Sequence, residues 1–472
     1  MNELIKNTVQ HLNIITRFDK TEVSLLAEET LYEAAPEDDI PDHMHRNLHD
    51  FMFHLSGPSD PTGSDSGSID EATLFDIKRG DKPGAIIAAP SAEAHKNMGM
   101  PKSAKMIATA HEEGMGHNEN LHKKIGAGFR KAFDEISSEK PEVTTSKRRE
   151  ANKAFQGFAQ SRGLKAKTAP KMLGGNMKTE KSTGEGVLTT GLNLAPHATS
   201  GLHEFDTCPK SSSDCRKNCL GTEAGGNRQY PDNSMSSKIL RTHFIAKHPE
   251  HAARLIDHEI TQHKTAAKKK GMLPGVRMNI TSDISWEHHA PKMFERHKDV
   301  QFYDYTKMHN RVLRSLSPKK EDSHFNEMGH PSNYHLSLSH TGTGHGESND
   351  KATSEVLKKG GVVAMVFQRG KGNQLPSHVV DHSTGHSYPV HNGDNDDNTF
   401  DRHASAGLKE GNPHQGVISG LKLKGVKNEA AGSFANPVDA GVSHINKPGA
   451  VIKEATNATS AFYKKVDAKR LG

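Results

Sequence analysis

VRMNITSDISWEHHAPKMFERHKDVQFYDYTK, running from Val276 to Lys307, is the stretch that decides how this chain folds. Two short apolar runs, Val276–Ile280 and Val300–Tyr305, have the length and composition of strands, and between them His289–Arg296 carries a helical pattern. A strand that returns to a strand through a helix is a crossover, and crossovers set neighbouring strands parallel. Trp286, the single tryptophan, is expected to anchor the entry of that helix in the core.

The same alternation extends in both directions. Upstream lie a strand at Val187–Leu194 and one long helix or two helices over Ser234–Lys270. Downstream come a helix at His309–Leu316, a strand at Tyr334–Leu338, a helix at Asp350–Lys359 and strands at Gly361–Phe367 and Gly416–Leu421. About six such units predict an α/β fold built as a (β/α) barrel or partial barrel. A flat doubly wound sheet is disfavoured, because no G-x-G-x-x-G or P-loop follows any of the strands.

The chain is longer than this domain needs, since 472 residues correspond to roughly three domains or one large barrel with extensions. Hydrophobic residues make up 33% of it, and the polar excess falls outside the barrel-like domain expected at 170–430. Residues 1–56 read as an N-terminal helical segment, on the pattern Leu4, Ile5, Leu12, Ile15, Val23, Leu25 and Leu26. Residues 57–80 read as a flexible linker, dense in Gly, Ser, Pro and Asp from Gly57 to Ser68. Residues 81–169 are expected to form a small helical module or an arm that folds on a partner, with helices near Ser103–His111, His122–Ile136 and Lys147–Gln160. Residues 431–472 are expected as an irregular C-terminal extension. The N-terminal region as a whole therefore reads as mainly helical and partly disordered.

Charge narrows the classes of partner. Sixty-two Lys and Arg against 57 Asp and Glu leave a net charge of only +5, which does not of itself call for nucleic acid. No run approaches the roughly eighteen apolar residues of a membrane helix, and Met1 to Asp19 lacks an apolar signal core. A soluble, cytoplasmic protein with no membrane partner is expected.

Cysteine carries the strongest chemical signal. The three in the chain, Cys208, Cys215 and Cys219, fall within twelve residues, a clustering that independent placement gives roughly two times in a thousand. They sit in a C-x6-C-x3-C loop just after the first barrel strand, the end of a (β/α) strand where active sites are built. A disulfide scheme would leave one thiol over, so a metal is the better reading. A [4Fe–4S] cluster on three cysteines leaves one iron open to a substrate or to a cofactor such as S-adenosylmethionine. Zinc is the alternative and needs a fourth ligand, for which His197 or His203 is near in sequence. Three unligated buried thiols are the plainest possibility, weakened by the polar surroundings of the loop.

The later strand ends are polar in their turn. Asn279, Thr281, Ser282 and Asp283 follow one strand, and Asp304, Tyr305, Thr306 and Lys307 close the next. Ser337, Ser339 and His340 come after the fourth, Gln368 and Arg369 after the fifth, and Asn392, Gly393, Asp394, Asp396 and Asp397 lie beyond. Asp283, Asp304, Tyr305 and Lys307 combine carboxylate, phenol and amine, and are the candidates for acid–base work. Asn279, Ser282, Ser339, Gln368 and Asp394 are the candidates for holding a cofactor. For any one of them, a strand that simply ends in a polar turn is the simpler account.

An ordered set of short motifs resembles the gene-product-88-like family of phages and plasmids over about residues 170–425. The motifs are Asn176-Met-Lys178-Thr179-Glu-Lys181, Gly191-Leu-Asn-Leu-Ala-Pro196, Thr207-Cys208-Pro209 with Cys215 and Cys219, and Asn279 to Glu287. They continue with Phe302 to Lys307, Gly393-Asp394 with Asp397, and Gly416 to Gly425. Leu220 departs from the pattern, which places an aromatic after the last cysteine. The resemblance implies a mobile-element origin and brings no activity with it. The cysteine loop separately resembles that of radical S-adenosylmethionine enzymes, with a spacing different from their C-x3-C-x2-C. The expectation is an iron–sulfur protein with a radical-SAM-like barrel, acting on a small-molecule or macromolecular substrate. Two alternatives stand beside it. One is a zinc-stabilised nucleic-acid-binding protein of phage replication, with Lys268–Lys270 and Lys147–Arg149 on phosphates; the other is a virion or structural protein.

Overall fold

The structure, a computed structural model, describes residues 92–447 except 117–119, 166, 176–181, 203–204, 213–214, 217, 220–230, 343–348, 369–373, 396, 402–415 and 425–433. The segments expected at 1–56, at 57–80 and beyond 447 lie outside the described residues, as do His203, Arg369, Asp396 and the motif at 176–181.

Among the described residues four helices come first: α1 (Ala92–Asn97), α2 (Pro101–Glu112), α3 (Leu121–Ser138) and α4 (Pro141–Ser161). Local chemistry sets their starts. The Asn120 side chain accepts from Lys123 N at the head of α3, and α2 and α4 open on proline, whose missing N–H costs nothing in a first turn. These helices are not a separate body, because Phe129 and Phe133 of α3 and Phe155 of α4 are fully buried in the same core as the sheet domain. Phe129 lies 5.0 Å from Trp286 and Phe155 lies 4.3 Å from Phe244, centroid to centroid.

The sheet follows. Its strands are β1 (Leu173–Gly174), β2 (Val187–Leu192), β3 (Leu273–Arg277), β4 (Gln301–Thr306), β5 (Tyr334–Ser339), β6 (Val362–Phe367), β7 (His378–Asp381), β8 (His386–Asn392), β9 (Val417–Lys422) and β10 (Val442–Ile445). Helices α5 (Pro231–Lys247) and α6 (Pro249–Lys269) connect β2 to β3, and α7 (Trp286–His289) and α8 (Pro291–Arg296) connect β3 to β4. Next, α9 (His309–Ser315) joins β4 to β5, and α10 (Asp350–Lys358) joins β5 to β6. Pro249 divides the long helical stretch in two: it cannot donate to the preceding turn and forces His248 out of helical dihedrals.

Strand order across the sheet is β1-β2-β3-β4-β5-β6-β9-β8-β7-β10. Pairing is parallel from β2 through β6 to β9 and β8, with β1–β2 and β7–β8 antiparallel. β2 to β6 therefore stand side by side in chain order, and right-handed crossovers put their helices on one face. The expected barrel does not close among the described residues, since β1 and β10 end the strand order at opposite edges. The place beside β9 is taken by the β7–β8 hairpin, and a hairpin extends an edge.

Register separates two faces of different chemistry. Phe302, Leu336, Leu338, Val363, Met365 and Ile418 pair along one face and are buried in the apolar core. The other carries Thr189, Arg277, Tyr303, Tyr305, Ser337 and Ser419 at alternate positions. A short 3₁₀ turn at Thr399–Asp401 covers part of this polar face, with Phe400 edge-on to Tyr303 at 5.2 Å. Two glycines allow the strands their approach. A Cβ on Gly191 would lie 2.3 Å from the Arg277 carbonyl oxygen, and one on Gly275 would lie 2.8 Å from Thr189 Oγ1.

Candidate functional site

The cysteine loop leaves the carboxyl end of β2 and is sewn to the end of β3. Thr207 Oγ1 donates back to the carbonyls of Ala195 (2.7 Å) and His197 (3.2 Å), while the Thr207 carbonyl accepts from Asp283 N at 2.6 Å. Asp206 braces the turn, accepting from Cys208 N (2.7 Å) on one oxygen and from Arg216 (3.1 Å) on the other. The Cys208 thiol is turned inward: Sγ accepts from His197 N at 3.4 Å and donates to the Thr281 carbonyl at 3.6 Å. Burial pushes this thiol well above its ordinary value, and the neighbouring Cys219 and Asp283 add to that. His197 beside it is held to about 4 by burial, so its ring is neutral.

Lys307, at the end of β4, closes the mouth. Its backbone N–H binds Asp283 Oδ2 (2.8 Å) and its Nζ donates to the His340 carbonyl at the end of β5 (2.8 Å). Burial lowers the Lys307 amine; Cys215, Asp283 and Cys208 oppose that and favour its charge. Lys238 on α5 is buried in the same neighbourhood, lowered by desolvation and supported by Cys219. Cys208 and Cys215 thus act on Lys307, and Cys219 acts on Cys208 and Lys238, near the carboxyl ends of β2, β3 and β4. Further along, His340 Nε2 meets Asp350 Oδ1 (2.7 Å), His340 Nδ1 accepts from Asn436 (3.2 Å), and the Asn436 carbonyl accepts from Gln368 N (2.9 Å). One line of hydrogen bonds therefore runs across the ends of five parallel strands.

The sequence profile of the family described as Gene product 88 matches residues 162–432, more than half of the chain. The chain belongs to the gene product 88 family. No curated protein and no solved structure matches it. The gene product 88 region takes in β1 to β9 and the whole mouth, while α1 to α4 precede it. Its motifs at Thr207–Cys208, Asn279–Glu287 and Phe302–Lys307, far apart in sequence, meet at one edge of the sheet.

The candidates sort into groups. Cys208, Asp283 and Lys307 are joined at the mouth through the bonds of Thr207, Thr281 and Asp283, and Cys215 and Cys219 follow in the same loop. Tyr305 lies on the polar face, donating to Asp397 at 3.3 Å under the Arg277 guanidinium, which stands 5.0 Å above its ring. Asn279 and Ser282 are hubs of the turn after β3: Asn279 Oδ1 accepts from Ile284 N (2.9 Å), Ser282 Oγ (2.9 Å) and Trp286 Nε1 (3.2 Å). Asp304 is fully buried on the helix side, accepting from Met278 N (3.1 Å), Asn279 N (2.9 Å) and the Tyr334 hydroxyl (2.9 Å). Burial raises its carboxyl to about 7 against the pull of Arg277. Ser339 offers its carbonyl to Asn349 (3.2 Å), and Asp394 is tied to Lys424 (2.6 Å), away from the mouth.

Several organising residues were not among those candidates. Arg277 forms a buried pair with Asp397 (2.6 Å), and Arg311 on α9 binds Asp283 (2.7 Å) and Glu287 (2.6 Å) together. For Arg277 the signal was a lone arginine inside an apolar strand pattern. The basic run at Lys147–Arg149 is largely engaged: Lys147 pairs with Glu135 (2.8 Å) and Glu139 (2.7 Å), and Arg148 with His258 (3.2 Å). Lys268, Lys269 and Lys270 end α6 exposed, where cations complement the helix dipole.

Three thiolates suit zinc or iron–sulfur ligation in kind. Among the described residues no three His, Cys, Asp or Glu stand close enough to share one ion. No helix among them is long and apolar enough to cross a membrane.

Proposed function

We propose that the mouth over β2–β5 is the functional site of a partial (β/α) barrel, and that Cys208, Cys215 and Cys219 hold an iron–sulfur cluster there. The observation that supports this reading is that Cys208 and Cys215 both act on the charge of Lys307, while Cys219 acts on Cys208, beside a sheet with one polar face. Bound, such a cluster supplies one-electron chemistry, and with three cysteines it leaves an open iron for S-adenosylmethionine. The chain's own residues do the rest. Lys307 and Lys238 offset the negative charge that three thiolates bring into a buried setting. Asp283 fixes the Lys307 backbone and is itself fixed by Arg311, and the Lys307 ammonium is held on the His340 carbonyl. The polar face beneath carries Arg277, Tyr303 and Tyr305, side chains of the kind that would donate to a substrate.

Anaerobic purification of the full chain should give a brown protein with a broad visible charge-transfer band that Cys215→Ala abolishes. A colourless protein holding one zinc would replace this reading by a Cys3His site. His197, neutral and adjacent to Cys208, supports that second reading as the fourth ligand.

A further inference from the structure

His382 and His444 stand away from the mouth, in the strands that end the sheet order. His444 lies in β10, and His382 directly follows β7. Parallel pairing sets His444 beside Val380, so His378 and Val380 lie on the same face as His444, and His382 enters the turn that follows β7. His382 Nε2 is 3.0 Å from His444 Nδ1, with ring centroids 5.1 Å apart and planes at 38°. His382 is exposed and His444 half-buried. Imidazole nitrogens bind zinc-like ions at about 2.0–2.1 Å, so two that share an ion at adjacent positions are roughly 2.9–3.4 Å apart. These two rings therefore have the spacing of a chelating pair.

The backbone beneath them is already fixed. His382 N donates to the Ile445 carbonyl (3.2 Å), and the Asn446 side chain donates to Asp381 (2.9 Å). Little ordering remains to oppose binding. Burial, then the charges of His382, Lys447 and His378, hold the His444 imidazole below its ordinary value against Asp439, which favours the neutral form a metal takes.

We propose that His382 and His444 form a two-imidazole site for a borderline divalent transition metal, which clips the edge strand β10 to the end of β7. Water completes the coordination. Nitrogen donors select nickel, copper and zinc over magnesium and calcium, which take oxygen. The site does not depend on what the cysteines bind.

Calorimetric titration of the full chain with Ni²⁺ tests it, alongside Mg²⁺ as a control. Replacing either ring should weaken one binding event by about tenfold or more, in His382→Ala and in His444→Ala alike, while Cys215→Ala keeps that event and Mg²⁺ gives no heat that the histidine variants lose. Ni²⁺ should also raise the thermal midpoint of the wild type more than that of either variant. Ni²⁺ isotherms in both histidine variants indistinguishable from wild type would overturn the proposal, as would equal thermal shifts in all three. Should His444→Ala fail to fold, the exposed His382→Ala carries the comparison.

Discussion

Asp304 shows how one buried carboxyl binds a site to the pH of its surroundings. Its folded-state value is raised by burial from the ordinary 3.8 to about 7, so between those values the folded chain keeps a proton that the unfolded chain has lost. Stability linked to this group is therefore fully present below about pH 4 and is lost as pH rises to about 7. Asp304→Asn cannot titrate. Whatever it costs in absolute terms, the difference in thermal midpoint between wild type and Asp304→Asn should change across pH 4–7 and be flat above it. A difference that is constant over that window would mean Asp304 is ionised throughout. Asn279 illustrates the same scale without charge, since its side chain joins Ile284, Ser282 and Trp286 in one turn. A polar residue at a strand end reads the same in sequence whether it faces a ligand or holds its own turn, which is why Asn279, Ser282 and Asp304 were legible as important and not as internal supports.

Elements were legible in proportion to how apolar they are. β2, β4, β5, β6 and β9 are short hydrophobic runs between turn residues, and the expected ranges overlap the observed ones closely. β3 begins three residues earlier than expected because Pro274 and Gly275, poor strand residues, pair with Leu188 and Thr189 in the amino half of β2 all the same. β7, β8 and β10 were not foreseen: they carry histidines, β8 contains Pro389, and β10, at the edge, needs little hydrophobicity. The Ala440–Gly441 turn before β10, with both residues at positive φ, was the available signal. α9 owes its place to one residue. Arg311 is buried with Asp283 and Glu287, and these three charges hold the turn after β3 against α9. Removing the cation leaves two carboxylates without their partner in the core, a change worth about 3–5 kcal/mol. Arg311→Met should lower stability by that order in denaturant titration; a loss under about 1 kcal/mol would mean the carboxylates take up protons or water without cost.

At the scale of the molecule, helices α1–α4 and the sheet share one hydrophobic core, although the family match begins only at residue 162. The cysteine mouth depends on both parts. His122 at the start of α3 bonds the Asp206 carbonyl (3.0 Å), and His111 at the end of α2 bonds the Gly201 carbonyl (2.6 Å), so the loop that carries the thiols is held from the helical side as well. Sequence showed the helices and the strands but not their union, because the pairing of Phe129 with Trp286 is a tertiary contact without local periodicity. Trp286 sits at that joint, fully buried, its indole N–H on the Met278 carbonyl at 3.2 Å, and it is the only tryptophan in the chain. Its fluorescence therefore reports on helices and sheet together. If the two parts unfold as one, the fluorescence transition should coincide with loss of amide protection in both α3 and β4 on a denaturant series. Phe129→Ala should move all three to lower denaturant together, by about 3–5 kcal/mol. Protection in α3 lost well before that in β4 would make the helices a separately folding layer, and the mouth would then lose its α2 and α3 contacts before the sheet itself opened.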